Sequence, residues 1–192
     1  KQFDIIMKNS MPSNEIKSLY KEFNDILSDA KKVYDIEVNR CCIGAAGPVA
    51  RKRGHIDLTN LNMHISAKEI LDNTLLNKVI LVNDFEAIGY GLDMLNLEKD
   101  TVKLKHISED LTGGWTSGNT LAVIGAGTGL GMSIIPYDFS KHLHIPLPSE
   151  GGHIDYVPQN TFELEMMDFV RMTLREKENH PELERFLSDE GV

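Results

Sequence analysis

Apolar residues along the chain recur with helical spacing in some segments and in short continuous runs in others. The first helix is predicted from about Pro12, with Ser13 as a plausible N-cap. Its apolar side is formed by Ile16, Leu19, Tyr20, Phe23, Ile26, Leu27, Ala30 and Val33. A shorter helix is predicted after Ser66, because Glu69 three residues later completes a capping box.

The continuous apolar runs predict strands. Residues 41–46 indicate a buried strand that ends at a Gly-Pro turn, and residues 3–7 indicate a short edge strand. Residues 79–82 are rich in β-branched side chains, as central parallel strands are. A helix through Leu95 follows this strand.

The second half of the chain continues the alternation of strands and helices. Residues 97–110 indicate a connection with a short strand, and glycines at 113, 114 and 118 mark a loop. A helix is then predicted from Thr161 to about Lys177, with Leu164, Met167, Val170 and Leu174 on its buried side. We therefore predict an α/β protein with a domain boundary near residues 95–97.

Composition narrows the classes of partner. The chain has 192 residues, of which 41% are hydrophobic, and its 29 acidic and 20 basic residues give a formal net charge of −9. This balance disfavours nucleic acid, since phosphate neutralisation needs a basic face. No run reaches the roughly 18 apolar residues needed to span a bilayer, so we expect no membrane partner. The adjacent Cys41 and Cys42 indicate buried or half-buried thiols in a reducing compartment, and we expect a cytoplasmic protein.

A glycine-rich segment at residues 124–131 carries the first candidate chemistry. Strand-like runs on both sides predict a β-hairpin with the glycines at its bend. Glycine permits positive φ and lets a bulky anion approach the amides, while Thr128 adds a hydroxyl donor. A dinucleotide-binding loop is disfavoured because the sixth position counted from Gly125 is Leu130, and a Walker A loop because no lysine is present. A tight hairpin without a ligand stays an alternative.

Two further segments carry polar side chains suited to a site. Asn83 and Asp84 lie where a buried strand ends and a helix begins, the place where open α/β sheets gather ligands, although Asp84 could simply cap the helix. Glu150 and His153 flank two glycines in a loop and could bracket vicinal hydroxyls, although an ordinary polar loop explains them as well. His153 and Asp155 could ligate a metal, but no third partner stands at ligand spacing, so we expect none.

Taken together, these segments resemble the bacterial-type glucokinases, hexokinase-like members of the actin/Hsp70/sugar-kinase superfamily. The resemblance rests on three blocks in the family's order and spacing: residues 81–85, 124–131 and 150–155. Residues 43–49, 58–60 and 184–188 match as well, so the resemblance covers nearly the whole chain. Related repressor and open-reading-frame sugar kinases carry a cysteine-rich zinc motif after the histidine, which is absent from residues 154–161.

The resemblance implies a ribonuclease H-like fold, with a small domain at residues 1–95 that lacks its N-terminal part and the first part of a large domain at 96–192. It implies ATP-dependent phosphorylation of glucose or a related hexose, with ATP and Mg²⁺ required and a homodimer as a candidate assembly. Asp84 matches the catalytic base, and it also contacts the sugar with the remaining substrate-binding residues, Asn83, Glu150, His153 and Glu184. The phosphate-binding hairpin corresponds to Gly125, Gly127, Thr128 and Gly129.

Two segments of the family have no counterpart in these residues. One is an N-terminal Asp-x-Gly-Gly-Thr hairpin that supplies the first phosphate loop, and the other is a C-terminal glycine-rich segment that holds adenosine. We therefore expect an internal piece of a kinase that does not phosphorylate sugar alone. The alternatives are a non-catalytic sugar-binding regulator on the same fold, disfavoured by the presence of Asp84, and a dehydrogenase-type nucleotide-binding domain.

Overall fold

The computed structural model describes residues 4–49, 54–58, 63–96, 98–102, 118–174 and 181–188. The protein is mixed α/β and divides into two compact units, Lys1–Asp84 and Phe85–Val192, which are described separately below. The predicted division near residue 95 into a small and a large domain stays a prediction. The predicted strand within residues 97–110 and most of the loop at 112–119 lie outside the described residues.

The described residues of the first unit form two pairs of strands. Strands β1 (Arg40–Ala45) and β4 (Lys78–Asn83) are parallel and in register from end to end, so Ala45 lies opposite Asn83. Strands β2 (His55–Asp57) and β3 (His64–Ser66) form an antiparallel pair. The parallel pairing places the carboxyl ends of β1 and β4 at one edge, where ligands gather in open α/β sheets.

Two helices cover the core of this unit. Helix α1 (Leu19–Tyr34) packs Leu19, Phe23 and Leu27 against it, and helix α2 (Ala67–Asn73) contributes Ala67 and Ile70. The other buried members are Ile56, Ile65, Leu76 and Leu81. Removing this apolar surface from water contributes about 25 cal/mol per Å² and is what holds the short strands to the helices.

The ends of the two helices test the predicted caps. The prediction for α2 is confirmed, because the hydroxyl of Ser66 accepts a hydrogen bond from the amide of Glu69 at 3.3 Å. The prediction for α1 is wrong: Ser13–Glu15 form a separate 3₁₀ turn, Ile16 is extended, and the helix begins only at Leu19. The apolar spacing continued through this turn, so periodicity alone did not reveal the break.

Two other expectations for the first unit are corrected. Residues 4–7 form no strand, and Ile5 is 84% exposed, since no described segment supplies this stretch with a hydrogen-bonding partner. Cys42 is exposed whereas Cys41 is half-buried. Burial alternates along β1 because only one of its faces meets the core, so the run is not a fully buried strand.

The second unit is built around an antiparallel sheet. Helix α3 (Asp84–Gly91) leads into it, followed by a 3₁₀ turn at Leu92–Met94. Strands β5 (Leu121–Ala126) and β6 (Leu130–Ile135) form the predicted hairpin. Strands β7 (Tyr137–Asp138) and β8 (Leu143–His144) pair with each other, and β9 (Leu147–Ser149) pairs with β6.

The remaining helices are α4 (Thr161–Leu174) and α5 (Glu184–Leu187). The predicted buried side of α4 is only partly correct, because Met167 and Val170 are half-buried whereas Leu164 is 46% exposed. The side chain of Leu174 and the predicted end of the helix at 175–177 lie outside the described residues. Within the part of the chain that is described, no helix has the length and apolar character needed to cross a membrane.

Candidate active site

The turn between β5 and β6 leaves backbone donors unused. The amide of Gly127 donates to the carbonyl of Gly129 at 3.0 Å and so closes the turn. The amides of Thr128 and Gly129, and the Thr128 hydroxyl, have no acceptor among the described residues, and all three turn residues are exposed. Successive free amides in a tight turn form a concave site for an anion.

Two glycines of this hairpin, Gly125 and Gly131, are required by a close neighbour and not by an unusual backbone conformation. Among the described residues, the glycines with positive φ are Gly47 and Gly118, so the hairpin glycines do not use the positive φ that glycine permits. A Cβ at Gly131 would collide with the ring of Phe85, and one at Gly125 would lie 3.0 Å from it. At Gly127 a Cβ would have no neighbour within 4 Å, so the space over the turn is open.

The loop with Glu150 and His153 lies directly against β6. Gly151–His153 form a 3₁₀ turn, in which the His153 amide donates to the Glu150 carbonyl at 3.1 Å. A Cβ at Gly152 would collide with the carbonyl oxygen of Leu130. The glycine therefore allows the loop to touch the strand that leaves the hairpin.

A third segment, residues 181–188, is held to the chain that follows this loop. The amide of Leu183 donates to the Ile154 carbonyl at 2.7 Å, and the amide of Tyr156 donates to the Pro181 carbonyl at 2.9 Å. The rings of Tyr156 and Phe186 stack with centroids 4.1 Å apart. These contacts bring Glu182 and Glu184 to His153.

The His153 ring is surrounded by three carboxylates. Its Nδ1 lies 2.8 Å from Glu182 Oε2 and 3.5 Å from Glu184 Oε1, and its Nε2 lies 3.8 Å from Glu150 Oε2. The hydrogen bond to Glu182 raises the pKa of His153 above its usual value, the charges of Glu184, Glu182 and Glu150 raise it further, and partial burial opposes them. Of the four side chains, that of Glu184 is the most enclosed, at 16% exposed.

Glu184 also contacts the hairpin. While Oε1 faces His153, Oε2 accepts a hydrogen bond from the amide of Leu130 at 3.3 Å, immediately after the turn. The same oxygen lies 3.1 Å from the place where Gly129 would carry a Cβ. One carboxylate therefore links the glycine hairpin to the His153 loop.

The sequence offered no third residue at the spacing of a metal ligand, but the fold brings three possible ligands together. His153, Glu182 and Glu184 each offer a ligand atom, and these atoms lie within 4.8 Å of one another. Asp155, the partner suggested by sequence, does not belong to this group. The Nδ1–Glu182 contact has the length of a charge-assisted hydrogen bond, which accounts for the arrangement without an ion.

The first unit holds the other two predicted residues. Asn83 ends β4, is 7% exposed, and donates from Nδ2 to the carbonyl of Gly47 at 3.4 Å. Gly47 adopts φ 136° and a Cβ there would collide with the Asp57 carbonyl, so only glycine fits this turn. Asp84, half-buried, is the first residue of α3. That Asn83 and Asp84 share a site with Glu150, His153 and Glu184 stays a prediction.

Sequence reasoning missed two buried or partly buried carboxylates. Glu182 contacts His153 from 29 residues away, and no motif marked it, although it stands two positions before Glu184. Glu86, two residues after Asp84, is 1% exposed. The signal that could have identified Glu86 was a charged residue within an otherwise apolar short helix, because glutamate is rarely buried without partners.

Comparison with known proteins agrees with the family resemblance of the sequence segments at residues 81–85, 124–131 and 150–155. A family model described as glucokinase matches residues 3–192. The chain belongs to the glucokinase family. It is 33% identical over 156 residues to a glucokinase of Tolumonas auensis, covering 81% of this chain and 44% of that protein. A glucokinase of Synechocystis is 34% identical over 137 residues, covering 71% of this chain and 36% of the relative.

Solved glucokinase structures share the fold. One from an Antarctic psychrotroph superposes with a TM-score of 0.68 at 27% identity, covering 94% of this chain and 51% of that one. A Balamuthia mandrillaris glucokinase, solved in complex with glucose, gives 0.69 at 20% identity, covering 90% of this chain and 50% of that one, and this is a likeness of fold alone. The chain thus spans between about a third and about half of the length of these proteins.

Proposed function

We propose that the protein carrying this chain is a glucokinase that transfers the γ-phosphoryl group of ATP to the 6-hydroxyl of glucose, the first step of glycolysis. The observation that carries the proposal is the group formed by Glu150, His153 and Glu184, which is joined to the glycine hairpin through the Glu184–Leu130 hydrogen bond. Hydroxyl-binding and anion-binding elements thereby lie side by side within one unit. Family membership supports the same reading.

The sugar site in this proposal is built from acceptors and one imidazole. Glu150 and Glu184 accept hydrogen bonds from sugar hydroxyls, and His153 and Asn83 complete the set. Carboxylates, imidazole and amide are the side chains that pair with hydroxyl groups acting as donor and acceptor. Leaving one buried hydroxyl unpaired costs about 1–3 kcal/mol, which is the source of selectivity for a polyhydroxyl substrate.

Asp84 is the proposed catalytic base. It stands at the carboxyl end of β4, beside Asn83, and is the first residue of α3. A sugar hydroxyl is a poor nucleophile, so a carboxylate that takes its proton contributes typically about 10²–10⁴-fold to the rate. Positioning of the hydroxyl in line with the phosphoryl group supplies much of the remainder.

The hairpin is the proposed phosphate site. Among the described residues, the amides of Thr128 and Gly129 have no acceptor and a Cβ at Gly127 would meet no atom within 4 Å, and free donors beside open space suit a phosphate group. ATP supplies the transferred phosphoryl group, and Mg²⁺ carried on its phosphates offsets their charge. The residues of this chain bind and orient the phosphates.

The proposal also includes the fold type, the cellular location and the assembly of the enzyme. The chain adopts the ribonuclease H-like fold of the actin/hexokinase type, in a cytoplasmic enzyme for which a homodimer is the candidate assembly. Mixed α/β structure, the parallel β1–β4 pair and the likeness to glucokinase folds support the fold assignment.

Calorimetric titration with glucose tests the sugar site directly. Glu150→Ala and His153→Ala should each weaken glucose binding by roughly 5- to 150-fold, the equivalent of one lost buried hydrogen bond. Glu165→Ala, a change at an exposed position of α4, is the control and should bind as the unmodified protein does. Unchanged affinity in both site variants would refute the sugar site, and a protein that binds glucose without forming ADP from ATP would be a regulator.

A further inference from the structure

Glu182 makes the shortest contact to the proposed sugar-binding histidine. Its Oε2 lies 2.8 Å from Nδ1 of His153, closer than Glu184 at 3.5 Å or Glu150 at 3.8 Å. The side chain of Glu182 is 32% exposed, less than that of His153 at 46%. The Glu182 carboxylate therefore contacts the Nδ1 side of the ring, whereas Glu150 lies toward Nε2.

The chemistry of this contact fixes the direction of the hydrogen bond. An ionised carboxylate can only accept, so Nδ1 of the imidazole must be the donor. When the ring is neutral it carries a single N–H, and placing that proton on Nδ1 leaves a lone pair on Nε2. The Nε2 atom then faces Glu150 with acceptor capacity for a hydroxyl group.

The backbone holds Glu182 in this place independently of its side chain. Residues Glu182 and Asp155 form a β-bridge, and the flanking Leu183 amide donates to the Ile154 carbonyl. Truncation of the Glu182 side chain should therefore leave the segment folded. This separates the effect of the carboxylate on His153 from any general loss of structure.

We propose that Glu182 is a positioning residue that accepts a hydrogen bond from the Nδ1–H of His153 and so presents Nε2 of the neutral ring to accept a hydrogen bond from a sugar hydroxyl. The part that concerns the sugar rests on the proposed function. Glu182 contacts the ring and not the substrate, so it acts through His153. This hydrogen bond is also the first cause of the raised pKa of His153, so the neutral ring with its acceptor at Nε2 is the form present above that pKa.

Nuclear magnetic resonance of the ¹⁵N-labelled histidine rings tests the proposal without any sugar present. The His153 signal is assigned by its loss in His153→Gln. In the unmodified chain the neutral ring should carry its proton on Nδ1. Glu182→Gln should keep that tautomer, because an amide oxygen still accepts, but should lower the pKa of His153. Glu182→Ala should shift the proton toward Nε2 and weaken glucose binding about 5- to 50-fold, while Glu165→Gln should change neither.

Three outcomes would overturn the proposal. The first is an Nε2–H tautomer in the unmodified chain. The second is an unchanged tautomer in Glu182→Ala, which would assign the role to Glu184. The third is a saturable change of the His153 signal on adding equimolar Zn²⁺, which would indicate a cation site. The proposed function can fail separately. If glucose does not bind but the tautomer responds as stated, only the sugar role is lost.

Discussion

At the scale of single residues, His153 is held in a strongly acidic setting. Glu182, Glu184 and Glu150 all face its ring, and their hydrogen bond and charges favour the imidazolium form. Glucose is uncharged, so a negative site does not repel it as it would an anion. The histidine supplies the one positive charge that the group can acquire near neutral pH.

This setting predicts a pH-dependent contribution to stability. Because the folded pKa of His153 is raised, the stabilisation is complete below the unfolded pKa, about 6.5, and is lost as pH rises through the folded pKa. His153→Gln should therefore lower the free energy of unfolding more at pH 5.5 than at pH 8.5, by a fraction of a kcal/mol because the ring is partly exposed. Urea denaturation at the two pH values measures the difference, and an equal loss at both would contradict it.

Asp84→Asn should lower kcat by roughly 10² or more and leave the glucose affinity within about tenfold. The amide keeps the size and hydrogen-bonding reach of the carboxylate but cannot take a proton. Steady-state kinetics of the protein carrying this chain, with ATP, Mg²⁺ and glucose, provide the measurement. A variant that retains more than a tenth of kcat would exclude the base role.

Two hairpin glycines should respond differently to alanine. Gly131→Ala places a methyl group in the Phe85 ring and should cost about 1–3 kcal/mol of stability. Gly127→Ala meets no neighbour within 4 Å and should change stability by less than about 0.5 kcal/mol. Denaturant melts of both variants measure the two changes in stability. Equal losses of stability would mean that the Phe85 ring is not the reason for glycine at position 131.

The candidate site residues named from the sequence stand in short blocks with a recognisable order, and the structure brings three of them, Glu150, His153 and Glu184, together. Glu150 and His153 are three residues apart, and Asn83 and Asp84 are adjacent. Glu182 could not be found in this way, because it meets His153 only through backbone contacts between distant segments. The role of the hairpin glycines was also hidden, since the ring that crowds them comes from α3.

At the scale of elements, side-chain capping distinguishes the helices of the first unit. Ser66→Ala removes the hydroxyl that accepts from the Glu69 amide and should cost about 1 kcal/mol. Ser13→Ala is the matched control, because Ser13 lies in the 3₁₀ turn that precedes α1 and caps no helix. Thermal melts should show a lower Tm for the first variant alone, and a comparable fall for Ser13→Ala would reinstate it as a cap.

The longer apolar patterns predicted that their elements exist, although the pattern of α1 did not show where that helix begins, and the shortest strands left no pattern. The β1, β4, β5 and β6 strands and the α2 and α4 helices follow continuous or periodic runs. The two-residue strands β7 and β8 carry too few residues for any period to show. Residues 4–7 have a strand-like composition, but a strand also requires a hydrogen-bonding partner, which a local pattern cannot supply.

At the scale of the whole molecule, α4 presents an apolar stripe to solvent. Phe162, Phe169 and Met172 are 73%, 67% and 80% exposed and recur at i, i+7 and i+10, so they lie along one side of the helix. Contiguous exposed apolar surface of this kind binds hydrophobic dyes. Phe169→Lys should therefore reduce the fluorescence of bound 8-anilinonaphthalene-1-sulfonate.

The control for this dye experiment is Leu75→Lys. Leu75 is 86% exposed but belongs to no such stripe, so its replacement should change the fluorescence little. An equal decrease in both variants would show that the dye reports general exposure and not the side of α4.

One oxygen of the Glu184 carboxylate contacts the hairpin and the other contacts the His153 loop, so the proposed function implies that the two segments are energetically linked. A ligand of the loop that draws Oε1 toward itself must alter the bond of Oε2 to the Leu130 amide, and a ligand of the hairpin must act in the opposite direction through the same group. Thermodynamic linkage then requires each ligand to change the affinity of the other by the same factor. In the proposed enzyme, the affinity for the sugar and the affinity for the phosphate would then each depend on whether the other site is occupied.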